Sequence, residues 1–100
     1  MKGYVYILKC ADGSYYTGST NDLWKRLLEH QIGLGANYTR KRLPVELVYY
    51  EEFDRIDEAF YREQQIKKWS RKKKEALIRR DFEALQKLSK SKGKKKENER

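Results

Sequence analysis

Tyr4-Val5-Tyr6-Ile7-Leu8-Lys9-Cys10-Ala11-Asp12-Gly13-Ser14-Tyr15-Tyr16-Thr17-Gly18 sets two runs rich in aromatic and β-branched residues on either side of Asp12-Gly13. Such runs about an Asp-Gly pair read as a β-hairpin. Loop length then determines where the tyrosines point. A two-residue turn would put Tyr6 and Tyr16 on opposite faces, because side chains alternate along a strand. A three-residue loop, Ala11-Asp12-Gly13 with Gly13 left-handed in a bulge, pairs Leu8 with Tyr16 and Tyr6 with Gly18. Both hydroxyls then emerge on one face, beside a glycine that leaves the backbone open to approach. The bulged hairpin is the expectation taken forward.

The chain continues through Ser19-Thr20-Asn21-Asp22 into Leu23-Trp24-Lys25-Arg26-Leu27-Leu28-Glu29-His30. Thr20, Asn21 and Asp22 are all suitable N-caps, and Leu23, Leu27 and Leu28 form a helical stripe able to pack on the hairpin. Arg26 and His30, four apart, share a helix edge next to that stripe. Two phenols, a guanidinium and an imidazole can therefore converge on one small surface.

With these residues in place the chain resembles the GIY-YIG nuclease domain, most closely its small stand-alone bacterial branch. Tyr4-Val5-Tyr6 corresponds to the first signature and Tyr16-Thr17-Gly18 to the second, and the tyrosine spacing, the Gly18-to-Arg26 interval and the Leu23-x-x-Arg26-x-x-x-His30 run also match. The likeness covers residues 3–80 and rests on the ordered set, since each tripeptide alone is weak. It implies an α+β fold: a small three-stranded, mainly antiparallel sheet flanked by helices. Two departures stand out. Tyr4 replaces the signature glycine, although Gly3 lies just before it, and Ser19 occupies a position where some relatives carry a phosphate-binding lysine.

The chain has 100 residues, which bounds it to one domain, taken as residues 1–88. Only 38% of it is hydrophobic, but 13% is aromatic, and large rings bury much area per residue. No apolar run approaches the ~18 residues of a membrane span, and Met1-Lys2 leads into a strand instead of a signal peptide, so a cytoplasmic location and no membrane partner are expected. Cys10 is the only cysteine, which excludes an intrachain disulfide and a cysteine-based zinc cluster and reads as a small filler at a strand end. The net charge of +9 favours a polyanionic partner, nucleic acid above all, without separating it from other anionic surfaces.

Beyond the first helix, Gly33 and Gly35 read as stop signals. In the loop that follows, Tyr38, Arg40, Lys41 and Arg42, beside Thr39, offer phosphate donors and one stacking surface. A plain solvated loop is the alternative; its place after the Arg26 helix favours nucleic-acid contact. Val45–Tyr50 reads as a third strand, extending toward Phe53, its place in the sheet left open. Asp57 is the expected N-cap of a helix running to Trp69, with Ala59, Phe60, Glu63 and Ile66 inward. Glu63 is the anomaly, because a carboxylate within an apolar stripe is costly unless a cation or donors meet it. A structural ion pair, a rotated stripe and a metal ligand all fit; the resemblance places a metal role on Glu63 and not on Glu58.

Ser70 is expected to cap a third helix opening with Arg71-Lys72-Lys73-Lys74. Each cation there opposes the macrodipole by roughly 0.3–1 kcal/mol, an arrangement that suits gripping phosphates, together with Lys67. Leu77, Ile78, Phe82, Leu85 and Leu88 continue an apolar stripe, with a break near Arg80-Asp81 where Asp81 can recap. Residues 89–100 carry +4 of the net charge and read as a disordered basic tail.

The chemistry implied is phosphodiester hydrolysis. Glu63 can hold one Mg²⁺ or Mn²⁺, and Arg26 can offer two planar donors to the scissile phosphate. The resemblance favours a signature tyrosine as general base, Tyr6 or Tyr16, with Tyr6 preferred for its clearance over Gly18. Nearby cations are expected to lower its pKa, and His30 to share or orient the proton. The sequence thus points to a metal-dependent endonuclease acting on DNA in repair or processing. With no base-reading element evident, branched, flapped or single-stranded structures are the expected substrates. The alternatives are a non-catalytic nucleic-acid-binding protein and an accessory nuclease module active only with a protein partner; oligomeric state is not legible.

Overall fold

The computed structural model describes residues 1–89, so all of the expected basic tail except Ser89 lies outside the described residues. In chain order the elements are β1 (Gly3–Lys9), β2 (Tyr15–Thr20), α1 (Leu23–Gln31), α2 (Asn37–Arg40), β3 (Glu46–Phe53), α3 (Ile56–Lys67), α4 (Arg71–Ile78) and a last helix, α5, over residues 82–89. They fall into two compact units divided between Lys68 and Trp69. The fold is α+β, with a three-stranded antiparallel sheet in the first unit.

The sheet order is β2-β1-β3, which answers the question of where the third strand lies. Central β1 is the most buried: Val5, Ile7 and Leu8 are sealed and Tyr6 nearly so. The hairpin closes with the bulged loop, since Tyr6 opposes Gly18 and Leu8 opposes Tyr16. Cys10 N–H donates to the Ser14 carbonyl at 2.8 Å and Gly13 N–H to the Cys10 carbonyl at 2.9 Å. Gly13 turns the corner at φ +85°, a conformation that a Cβ disfavours. On the other edge, Ile7 faces Tyr49 while Leu8 faces Leu47, so Val48 is the extra residue of a β-bulge.

Strand alternation divides the packing. Tyr6 and Leu8 join Cys10, Leu23 and Val45 in one cluster, flanked by Tyr4, Tyr16, Leu27 and Leu47. Residues of the opposite parity, Val5 and Ile7, face α3. That helix docks so closely on β1 that a Cβ at Gly3 would lie 2.6 Å from the Ile56 Cα. Burying side chains such as Ile7 and Ile66 contributes about 1.5–3 kcal/mol each, which is what sets α3 on the sheet.

Several element details differ from expectation. Leu28 is 56% exposed. At 100° per residue it lies about 140° round α1 from Leu23, whereas His30 returns to within about 20° of Leu23 and takes the inward place. Phe60 is 54% exposed for the same reason, being about 100° from Ala59 while Glu63 and Ile66 stay on the buried side. Asp57 is not the cap of α3: Arg55 is the N-cap residue, Asp57 sits in the first turn bonded to the Arg55 guanidinium, and the helix ends at Lys67. The segment around Tyr38 is a one-turn helix, not a loop.

In the second unit Ser70 caps α4 by accepting from Lys73 N–H at 3.2 Å. The expected break falls at Arg80, which adopts a left-handed φ of +58°, and Asp81 recaps the chain by accepting from Ala84 N–H at 3.1 Å. Among the described residues no helix is long and apolar enough to cross a membrane.

Candidate active site

Because Tyr6 and Tyr16 sit on adjacent strands with the same parity, their rings meet on one face, centroids 6.5 Å apart. The Tyr6 side chain reaches across to Gly18, where no Cβ obstructs it. Asp22 caps α1, accepting from Lys25 N–H at 3.2 Å, and so sets the helix phase that turns Arg26 and His30 to this face. The His30 imidazole is fully buried, with Nε2 2.8 Å from the Tyr6 hydroxyl and Nδ1 2.8 Å from the Thr39 hydroxyl. Arg26 pairs with Glu29 at 3.1 Å, and its positive charge acts on the same phenol, favouring the phenolate.

The electrostatics correct one expectation. Burial pushes the Tyr6 phenol up to about 12, outweighing the stabilisation of the phenolate by Arg26. Burial, and secondarily the Arg26 charge, pushes His30 down to about 4. At neutral pH the pair is therefore a neutral phenol beside a neutral imidazole. A free phenolate is not the resting base; the Tyr6 hydroxyl has an imidazole nitrogen within hydrogen-bond distance instead.

Tyr16 extends the face outward. Its ring lies 5.3 Å from that of His30 and stacks on Tyr38 at 6.1 Å, and the Arg42 guanidinium covers Tyr38 at 3.8 Å. Arg42 also donates to Asp12 at 3.0 Å and to the Tyr38 carbonyl at 2.9 Å. It thus fastens the stack to the hairpin turn, while Arg40 and Lys41 stay exposed.

Glu63 arrives from the other side of the sheet. It is only 7% exposed and rides on α3, facing the odd-numbered residues of β2. Ser19 donates to its Oε1 at 2.5 Å, and Lys67 pairs with its Oε2 at 2.6 Å. In the edge strand β2, adjacent residues thus serve opposite faces, Gly18 lying under Tyr6 and Ser19 bonding Glu63. The Glu63 charge registers at the Tyr6 hydroxyl, raising its pKa. The carboxylate in the apolar stripe is thus met by a hydroxyl and an ammonium.

A carboxylate is the kind of donor that a hard divalent ion takes. Among the described residues no group of three or more His, Cys, Asp or Glu side chains could hold a metal, so Glu63 would supply one carboxylate and water and substrate phosphate the rest, the mode that Mg²⁺ favours. The other basic residues singled out in the sequence are partly committed elsewhere. Lys67 serves Glu63, Arg71 pairs with Glu75 at 3.0 Å, Lys73 lies 4.3 Å over the Trp69 ring, and Lys74 has its pKa lowered by burial. Lys72 is exposed and lines a cavity of about 450 Å³ with Arg79 and Lys87.

Sequence reasoning missed three participants. Ser19 lies 44 positions from Glu63, and no spacing rule links them. Thr39 enters the sequence reading only as a neighbour of the basic run, and Gly35 only as a stop signal. Gly33 is the true stop, with φ +87° and Gly33 and Leu34 N–H groups donating to the carbonyls of His30 and Glu29.

A hairpin that sets two phenols against a guanidinium and an imidazole, with a carboxylate at the strand edge, defines a small α+β domain with its polar groups gathered on the hairpin. Comparison with known proteins resolves the family: the sequence model described as GIY-YIG catalytic domain matches residues 2–76, and the chain belongs to the GIY-YIG family. It is 57% identical over 75 residues to the UPF0213 protein of Bacillus pumilus, covering 75% of this chain and 76% of that one. It is 54% identical over 77 residues to the UPF0213 protein of Staphylococcus saprophyticus, covering 77% and 94%. The solution NMR structure of the UPF0213 protein from Bacillus halodurans is 46% identical, with a TM-score of 0.54 and coverage of 89% and 98%. A solved protein from E. faecalis is 40% identical, with a TM-score of 0.56 and coverage of 82% and 88%. The family supports a nuclease, hence a hydrolase, acting on nucleic acid, and its nucleases generally use a divalent metal.

Proposed function

We propose that this protein is a Mg²⁺- or Mn²⁺-dependent endonuclease that cleaves DNA at branched, flapped or single-stranded structures, in cytoplasmic DNA repair or processing. The observation that carries this reading is the Tyr6 hydroxyl, where a His30 nitrogen at 2.8 Å, the Arg26 guanidinium and the Glu63 charge act on one oxygen. Water attacks phosphorus and gives its proton to the Tyr6 oxygen while the Tyr6 proton passes to His30 Nε2. The phosphorus–oxygen bond in line with attack breaks, the leaving oxygen takes a proton from solvent water, and Arg26 stabilises the charge that gathers on the phosphoryl oxygens. A divalent ion held by Glu63, when bound, supplies further positive charge beside the phosphate. Exposed Arg40 and Lys41, next to the Tyr16–Tyr38 stack, suit an unpaired strand, which offers both phosphates and base faces.

A second reading, a nuclease module recruited by a protein partner, is favoured by α1. Trp24, Leu28 and Ile32 lie four apart and are 65%, 56% and 58% exposed, a ridge of apolar surface on a small protein. The test is cleavage of supercoiled and branched DNA by purified protein with Mg²⁺ or Mn²⁺. Wild type should cut, and Arg26→Ala and Glu63→Ala should each reduce cutting by at least about 100-fold while salt-sensitive binding persists. Wild-type inactivity across the substrate panel would leave a binding protein or a partner-dependent module. Equal nicking by all three proteins would mean a contaminating nuclease.

A further inference from the structure

The hydrogen bonds around His30 run in one direction. Thr39 is fully buried and its hydroxyl, which has one proton, donates to the Ala36 carbonyl at 3.0 Å. It therefore meets Nδ1, 2.8 Å away, with a lone pair, and Nδ1 carries the ring proton. The other end agrees. Nε2, left bare by that assignment, accepts the Tyr6 hydroxyl proton at 2.8 Å, so each group in the run is satisfied.

The segment carrying Thr39 is shaped around the ring. A Cβ at Gly35 would lie 2.3 Å from Nδ1 and 2.8 Å from Cε1, so only glycine lets the chain pass there. The one-turn helix α2 has no side-chain cap, and Thr39 is its sole buried residue. Four residues beyond a glycine that clears the imidazole, the chain thus delivers one hydroxyl to it. The remaining neighbours of the ring are Tyr6 from β1, Tyr16 from β2, and Arg26 and Glu29 from its own helix.

Resting on the nuclease reading above, we propose that Thr39 is a positioning residue: it holds His30 in the tautomer protonated at Nδ1, so that Nε2 is free to take the Tyr6 proton during water attack, and Gly35 provides the room. On transfer the imidazole gains a proton at Nε2, retains the one shared with Thr39, and Tyr6 is refilled from the attacking water. Fixing the acceptor nitrogen through its opposite ring nitrogen is the familiar logic of histidine in catalysis.

His30 is the only histidine in the chain, so ¹⁵N NMR of the imidazole reports on it without ambiguity. In the wild type near pH 7 the spectrum should show a proton on Nδ1 and a bare Nε2. Thr39→Val should shift the population toward Nε2–H and lower the cleavage rate about 10- to 100-fold with DNA affinity unchanged, and Thr39→Ser should restore both. A wild-type ring protonated at Nε2 overturns the proposal, as does a Thr39→Val protein that keeps the Nδ1–H form and the full rate. Should Thr39→Val fail to fold, the wild-type and Thr39→Ser spectra still decide. The spectrum does not depend on cleavage: an Nδ1–H ring in a protein that cuts nothing supports the tautomer assignment and removes the nuclease reading instead.

Discussion

The hydroxyl of Tyr6 lies directly over Gly18, so that a Cβ at Gly18 would sit 2.5 Å from the phenol oxygen, 2.7 Å from Cζ and 3.2 Å from Tyr16 Cε2. Tyr6 is 2% exposed and cannot swing into solvent without opening the core. Gly18→Ala should therefore displace the hydroxyl from His30. We expect cleavage to fall by about 100-fold or more and stability by about 1–3 kcal/mol, while DNA binding survives. Kinetics and urea denaturation of the variant provide the check; a rate near that of the wild type would show that the Tyr6 position is not what catalysis needs.

Ser19 makes a second prediction. Its hydroxyl fixes one oxygen of Glu63 while Lys67 fixes the other. Removing the hydroxyl leaves the carboxylate tethered only through a flexible lysine. Ser19→Ala should raise the Mg²⁺ concentration for half-maximal cleavage about 10-fold, in the range of lost outer-sphere partners, with little change in the rate at saturating metal. Titration of the rate with Mg²⁺ measures it. An unchanged half-point would mean that Ser19 serves Glu63 only in packing.

Most of the fold was legible because local chemistry agreed with the final packing. Asp12-Gly13 fixed the hairpin register through one left-handed glycine, Asp22 and Ser70 announced their helices, and Asp81 marked the restart after Arg80. The site was legible where it depends on parity and helical spacing, as with Tyr6, Tyr16, Arg26 and His30. It was not legible where partners are far apart in the chain. Glu63 stood out as a misplaced carboxylate, but nothing in the sequence says that Ser19 answers it. Leu28 and Phe60 show the complementary error: an apolar residue near a stripe was read as inward although its helical angle turns it out. The raised pKa of Tyr6 depended on burial, which pattern reading cannot weigh against a neighbouring cation.

The second signature also carries a cost. Thr17 is 4% exposed, and its hydroxyl has no hydrogen-bond partner. An unsatisfied buried hydroxyl costs roughly 1–3 kcal/mol, and valine has nearly the same shape without it. Thr17→Val should stabilise the protein by about 1 kcal/mol and leave cleavage unchanged, because Thr17 points to the α3 face, opposite the phenols. Thermal or urea unfolding reads the difference; destabilisation would mean that the hydroxyl meets a bound water.

His30 gives stability a dependence on pH. Its pKa is pushed down from 6.5 to about 4 in the folded protein, by burial first and Arg26 second. Between those values the unfolded chain binds a proton that the native state refuses, so stability must fall as pH drops through this window and level off below it. The full effect is on the order of 3 kcal/mol, reached near pH 4. Asp12 and Asp57, held below the usual carboxylate range by Ser14 and Arg55, lose their contributions at lower pH still, and so do not mask the histidine above pH 4. Urea denaturation across pH 7 to 4 should show the decline in the wild type and its loss in His30→Gln, whose uniform baseline is lower because the amide cannot serve Tyr6 and Thr39 as the imidazole does. A wild-type profile that stays flat over this range would mean that folded His30 titrates like an exposed histidine, and the neutral Tyr6–His30 pair would no longer describe the resting site.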